Sequence, residues 1–334
     1  MESIGILYEL KKSDIADPLG NVTADLHINY LKTQSNNYLL CKKYNRSLDI
    51  GIMLLDRVAD IKSISIYFPF KLYENDVEDL GEVIREHNLF CTLFNGDYVI
   101  SNIPNSPLYY KVEPITANQD AFLLCVLEKN TLRIDRSLQI GTLLTISIAD
   151  IPTGMLLRKN GFPGLYFRLR IKNLSKDMFF YEDNISNDIF QSAFSKSELV
   201  DFRINEMREF DRTIIDDLKK DRYFVSFRKF HFFFIGSSEN EEVQGNVNYV
   251  DTRLLDPQRW ADYEESIRKA KVRYIAYHWC KKADESQVLQ QCSVFLRTKY
   301  RSMNALKVVV YCIVVILLGF VGSLLSTAFI DLLW

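Results

Sequence analysis

Apolar and polar positions alternate in short runs along most of the chain, separated by turn residues, and this period of two predicts extended structure. Ile64, Ile66 and Phe68 face one way and Ser63, Ser65 and Tyr67 the other, until Pro69 closes the run. Further strands are expected over residues 3–10, 25–31, 48–54, 121–127 and 142–148, so the N-terminal half reads as mainly β. Leu89 to Phe94, then Asn95-Gly96, then Asp97 to Ile100 gives the strongest hairpin signal, because Asn-Gly accepts the positive φ angles of a type I′ turn. One helix is expected to interrupt this half at residues 76–86, with Val77, Leu80 and Ile84 on one stripe and Asp76 as its cap.

Pro152, Gly154, Gly161, Pro163 and Gly164 cluster breaker residues and mark a boundary between a β-rich part, residues 1–150, and an α+β part, residues 151–284. Beyond it, Leu165, Phe167, Leu169 and Ile171 alternate with Tyr166, Arg168, Arg170 and Lys172, the clearest two-faced strand in the chain. Residues 224–235 are apolar on both faces at their outer end, which predicts a central strand covered on both sides. Helices are expected at residues 211–220, at 257–271 with Pro257 in a tolerated first-turn position, and from 285 to about 301. The last is read as an amphipathic basic stem, residues 285–305, that can run without a break into residues 306–334. The expected fold class is therefore α+β and β-rich, with mainly antiparallel, sandwich-like sheets in two packed subdomains, plus one C-terminal transmembrane helix.

The terminal segment carries no charge from residue 308 to 330 and at about 1.5 Å per residue spans roughly 35 Å, enough to cross a bilayer core once with some tilt. Arg297, Lys299, Arg301 and Lys307 precede it, whereas Asp331 is the one charged side chain after it, so the positive-inside rule puts the preceding domain in the cytoplasm, at the inner membrane. Trp334 suits the opposite interface. Residues 1–12 carry Glu2 and Glu9 and lack the basic start and apolar core of a secretory signal, which agrees with that orientation. Gly319, Gly322, Ser323 and Ser326 fall at i, i+3, i+4 and i+7, a small-residue face through which two such helices can approach and self-associate.

A chain of 334 residues with 48% hydrophobic and 25% charged content is ordinary for globular protein, and a formal net charge of -2 gives no field that would draw the whole molecule onto nucleic acid or an anionic surface. Cys41, Cys91, Cys125, Cys280, Cys292 and Cys312 are scattered and read as reduced thiols. None of the 13 glycines forms a nucleotide-binding loop, and neither G-x-S-x-G nor H-E-x-x-H occurs. No catalytic residue, cofactor or metal is therefore assigned.

Tyr166, Arg168, Arg170 and Lys172 are the candidate ligand row, by charge and stacking, for a nucleotide or single-stranded nucleic acid; the alternative is a solvated sheet face. Asp201, Arg203 and Asn205 line up if residues 199–207 are a strand, or line a solvated helix face, the preferred reading. Asp251, Arg253, Asp256 and Arg259 around Trp260 read as fixing a helix start. His278 and Cys280 share a face of the expected strand 272–280 and are a feasible pair of metal ligands, with packing preferred because nothing indicates the others.

A sensor domain with a minimal membrane segment resembles, in organisation only, the membrane-acting effectors of bacterial antiphage defence. That resemblance implies a cytosolic sensor and effector that self-associates and perturbs the bilayer, and it carries no residue assignments. The alternatives are a tail-anchored adaptor recruiting a protein or nucleic-acid partner, and a membrane-tethered enzyme of unfamiliar motif.

Overall fold

A computed structural model describes residues 3–11, 22–35, 43–94, 96–116, 120–148, 164–174, 178–183, 195–238, 240–245, 248–269, 272–284, 287–301 and 305–333. Among the described residues the strands are β1 (Gly5–Leu10), β2 (Thr23–Ser35), β3 (Lys43–Leu54), β4 (Ile61–Phe68), β5 (Val77–Asp79), β6 (Tyr98–Ile103), β7 (Ser106–Pro114), β8 (Phe122–Cys125), β9 (Leu132–Asp135), β10 (Thr142–Ser147), β11 (Gly164–Ile171), β12 (Phe180–Asp183), β13 (Ser195–Ile204), β14 (Tyr223–Phe224), β15 (Ser226–Ser237), β16 (Asn240–Gly245), β17 (Asp251–Leu254), β18 (Tyr274–Lys282) and β19 (Cys292–Arg301). They form a five-stranded sheet in the order β14-β1-β4-β10-β9 and a four-stranded sheet in the order β12-β13-β19-β16. A ten-stranded sheet runs β17-β18-β15-β2-β3-β11-β8-β7-β6, with β5 also paired to β11. Pairing is antiparallel except between β11 and β8 and between β15 and β2. Strands from both sides of residue 151 alternate in the large sheet, so it is continuous across that position. The breaker residues Pro152 to Pro163 lie outside the described residues.

One apolar cluster draws on all three sheets: Ile6 and Leu144 from the five-stranded, Ile28, Ile50, Phe167 and Phe232 from the ten-stranded, Phe202 and Leu296 from the four-stranded. Each such buried side chain contributes roughly 1.5–3 kcal/mol, which makes this shared interior the main source of stability. Strand alternation dictates who enters it. On β2 the even positions Leu26, Ile28 and Tyr30 point inward, and Lys32 follows them in phase.

Lys32 is 1% exposed and meets Glu198 on β13, 0% exposed, at 3.0 Å. Arg46 on β3 donates to the same carboxylate from Nε at 3.1 Å and Nη2 at 2.6 Å, and reaches Glu182 on β12 at 2.6 Å. Tyr30 donates to Glu198 Oε1 at 2.9 Å, and the Lys32 ammonium lies 3.3 Å from the ring centre of Tyr300 on β19. This buried ionic pin joins the ten-stranded sheet to the four-stranded one. Burial pushes the Glu198 carboxyl up, but Lys32 and Arg46 outweigh it and hold the group below the ordinary value. Burial draws the Lys32 ammonium down to about 8 against the pull of Glu198.

Several sequence expectations need correction. Residues 292–301 are not part of a basic stem helix but the strand β19, in which Cys292, Val294, Leu296, Thr298 and Tyr300 are buried while Ser293, Phe295 and Arg297 are exposed. Residues 89–94 lie in a helix, His87–Phe94, rather than the first arm of a hairpin. Both faces of that run are apolar, so alternation does not discriminate, and an i,i+4 stack of Phe90 on Phe94 at 4.4 Å favours the helix. The hairpin is instead β6–β7, turning at Asn105 with φ 59. The expected helix 76–86 is the short strand β5 followed by one turn, Gly81–Ile84, and the expected helix 257–271 is a series of turns ending in Glu265–Lys269. The helix Arg212–Lys219 forms as expected, capped by Asp211, which accepts from the Thr213 amide at 2.8 Å. β15 is central, fully covered on its Phe230, Phe232, Phe234 face and partly open at His231 and Phe233.

Removing the Glu198 charge would leave Lys32 and Arg46 buried without their shared partner. Glu198→Gln is expected to cost about 3–5 kcal/mol, read as a lower urea midpoint with an unchanged slope. Because the folded group titrates below its unfolded value of about 4.3, its contribution is fully present above that pH and is lost as pH falls through the folded value. Acid destabilisation below pH about 4.5 should therefore be shallower in Glu198→Gln than in wild type.

Candidate functional site

The odd positions of β2 and their cross-strand partners put polar side chains on the other face of the ten-stranded sheet. Two rows cross it. In one, Cys280, His231, His27, Gly51 and Arg168 are successive partners on β18, β15, β2, β3 and β11. In the other, His278, Phe233, Asn29, Asp49 and Arg170 hold the same five strands.

The β11 end of the rows is sealed. Arg170 forms a two-pronged pair with Asp49, at 2.7 Å from Nε and 3.0 Å from Nη2, and donates from Nη1 to Glu264 at 2.9 Å and to the Tyr263 carbonyl at 3.0 Å. The Tyr263 hydroxyl donates to Asp49 and accepts from Arg168 Nε at 2.9 Å. Arg168 also donates to the Tyr166 hydroxyl at 2.9 Å. That hydroxyl occupies the space a side chain at Gly51 would fill, which is why a residue without Cβ stands there. Burial raises the Tyr263 hydroxyl far above its usual value, so it stays protonated and donates.

The expected exposed cationic row is thus overturned in part. Tyr166, Arg168 and Arg170 are 0%, 3% and 4% exposed, because β11 lies between β3 and β8 and is covered by the turns carrying Trp260 and Tyr263. Lys172 alone of the four is at the surface, paired with Glu78 at 2.8 Å. Asp201 and Arg203 do lie on a strand, but they bind each other at 2.7 and 3.0 Å. Asn205, at φ 54, ties Ile6 N and the Val225 carbonyl together. Asp256 accepts from the amides of Gln258 and Trp260 and so does organise a turn.

The β18 end is half-open. His231 Nδ1 and His278 Nε2 lie 3.0 Å apart, and with Cys280 Sγ their donor atoms all fall within 4.8 Å of one another. The His278 ring stacks on Phe233 at 4.2 Å and 4°, which fixes its plane. His27 adjoins this group, its ring 5.1 Å from that of His231 and 5.8 Å from Phe94. Burial, then the neighbouring His278, draws His231 down to about 4, burial also lowers His278, and burial raises the Cys280 thiol. The sequence supplied His278 and Cys280 by their spacing. It held no local sign of His231, which arrives through strand pairing.

The helix Ala305–Leu333 stands apart from both faces. Its segment Val308–Thr327 has a mean hydropathy of 2.9 and no buried part, and is long and apolar enough to cross a membrane. Gly319, Gly322, Ser323 and Ser326 are exposed on it. Arg297 is exposed and Lys299 half-exposed on β19, while the side chains of Arg301 and Lys307, and Trp334, lie outside the described residues.

Neither protein-family models nor curated proteins give a match to this chain.

Asp49→Asn would leave the Arg170 guanidinium buried beside a neutral amide and is expected to cost about 3–5 kcal/mol by urea denaturation, whereas Lys172→Ala, which removes an exposed pair, should stay within about 1 kcal/mol.

Proposed function

We propose that the protein is a membrane-anchored sensor and effector whose β-rich domain, on the cytoplasmic side of the inner membrane, controls the association of its C-terminal helices and thereby perturbs the bilayer, in the manner of a defence effector. The reading treats the sheets as a sandwich-like body of two packed subdomains, 1–150 and 151–284, and assigns it no catalysis. Its partners are the lipid bilayer, further copies of the chain, and a protein partner or a nucleotide or nucleic-acid ligand as trigger.

The observation that carries it is the link between pin and helix. Tyr300, against which Lys32 packs, is near the end of β19, and only residues 302–304 separate that strand from the helix. Even fully extended, the step from Arg301 to Ala305 covers at most about 14 Å, so the strand that packs on the pin and the terminal helix stay within that reach of each other. The helix presents an unburied small-residue face for the association that would follow.

The adaptor reading rests on a different feature. Edge strand β6 exposes Val99, with Ile115 beside it, over an open groove of about 770 Å³ also lined by Arg85, Tyr98 and Tyr110. Such an edge can take up an added strand from a partner.

Added side chains at Gly319 and Gly322 meet nothing within 4 Å, so bulky substitutions there spare the fold of one chain. Gly319→Ile with Ser323→Ile is expected to leave membrane insertion intact and to reduce both oligomers in detergent and dye release from liposomes by at least about tenfold. Wild-type protein that is monomeric and releases no dye would sink the effector reading. A helix swap that keeps localisation and activity would favour the adaptor.

A further inference from the structure

We propose that His231, His278 and Cys280 form a binding site for a borderline-to-soft transition-metal ion, Zn²⁺ being the representative, with three protein ligands and an open fourth position.

Three features of the geometry argue for it. First, the chain contains four histidines, and strand pairing brings His27, His231 and His278 to one part of one sheet face beside Cys280. Second, the donors come from β15 and β18, which pair without a register break from Lys229–Lys282 to Ser237–Tyr274, so the ligand set is built on rigid elements rather than on a loop. Third, the spacing fits. All three donor atoms lie within 4.8 Å of one another, and a tetrahedral ion with bonds of about 2.0–2.1 Å to nitrogen holds two nitrogens about 3.3 Å apart. The present nitrogen separation of 3.0 Å needs a few tenths of an ångström of opening, and the Cys280 sulfur, within 4.8 Å of both nitrogens, closes to about 3.6 Å from each when it joins them on the ion.

The donor set selects the metal class. Two imidazoles and a thiolate suit Zn²⁺ or Cu(I) and disfavour Mg²⁺ and Ca²⁺, which demand oxygen ligands. Binding releases the Cys280 proton to solvent. The one hydrogen now shared between the imidazoles moves to the outer nitrogen of the ring that donates it, the other ring already carrying its hydrogen there, which leaves His231 Nδ1 and His278 Nε2 free to bind. Phe233, stacked on His278, holds that ring in plane, and all three ligands are half-exposed, which gives an ion a path in. Asp251 is the cross-strand partner of His278, the residue type that commonly orients a metal-bound imidazole. His27, one strand further in, adjoins His231 at 5.1 Å between ring centres and lies outside the three-ligand set.

This inference is independent of the membrane reading, since the ion either binds these residues or does not, whatever the terminal helix does. The test is a titration of chelator-treated full-length protein in detergent with Co²⁺, followed by displacement with Zn²⁺. One equivalent should bind and give tetrahedral ligand-field bands together with a thiolate-to-metal charge-transfer band. Cys280→Ser should abolish the charge-transfer band, His278→Gln should weaken Zn²⁺ binding by at least about tenfold, and Cys91→Ser should change neither. Folded wild-type protein that takes up no stoichiometric Co²⁺ or Zn²⁺ would overturn the proposal without recourse to any variant, as would a charge-transfer band that survives Cys280→Ser.

Discussion

One buried carboxylate ties the four-stranded sheet to the ten-stranded one. Glu198 is fully buried between two sheets and is contacted by Lys32, Arg46 and Tyr30 from one of them while its own strand belongs to the other. Taking these charges out of water costs several kcal/mol per ion, and only the dense set of partners offsets it. A hydrophobic substitute of the same volume would pack the sheets as firmly. What an ionic cluster adds is a fixed register, because each guanidinium and ammonium donor has a single position in which the acceptors are satisfied. The cluster therefore specifies how the four-stranded sheet sits on the ten-stranded one, and with it where β19 delivers the chain into its terminal helix.

How much of this is legible in the sequence follows from the range of the interactions. The terminal helix depends on local composition alone, and the apolar run over residues 308–330 identifies it. Strands such as β4 and β10 are legible because one face meets the core and alternation survives. β19 carries the same alternation from Cys292 to Tyr300, yet its cations just before an apolar run suggest a helical stem; the period of two was the better guide. For Tyr166, Arg168 and Arg170 the local pattern is insufficient. Alternation assigns them to the second face of a strand, but whether that face is wet depends on Asp49 and Tyr263, which lie far away in sequence. Likewise, a carboxylate in the apolar run at Asp49, with a glycine two positions on at Gly51, is a signal of a buried polar partner that only the fold can interpret.

The second face of the large sheet is graded from one end to the other. At β11, every cation has an anion or hydroxyl at hydrogen-bond distance and the turns around Tyr263 exclude water, so the polar groups there build structure. At β18, the cover ends, and His231, His278 and Cys280 meet one another at the rim, with Asp251 across the strand from His278. Groups that satisfy the fold are sealed, whereas groups in reach of solvent remain free to exchange a proton for an ion. The same sheet thus supplies a rigid interior and an accessible ligand set without a loop being needed for either.

β2 connects this face to the pin. Its even positions carry Tyr30 and Lys32 into the inter-sheet cluster, and its odd positions carry His27 and Asn29 into the polar rows. A strand has one backbone, so a displacement of β2 along its axis moves both sets together and changes the geometry at Glu198 and at the histidines in the same step. β15 is paired to β2 over nearly its whole length, which extends that coupling to His231. Between the open rim and the terminal helix the path is therefore short and made of paired strands: β15, β2, the Glu198 cluster, β19. Any shift in the register that the buried ions enforce is therefore shared by the rim and by the strand that leads into the terminal helix.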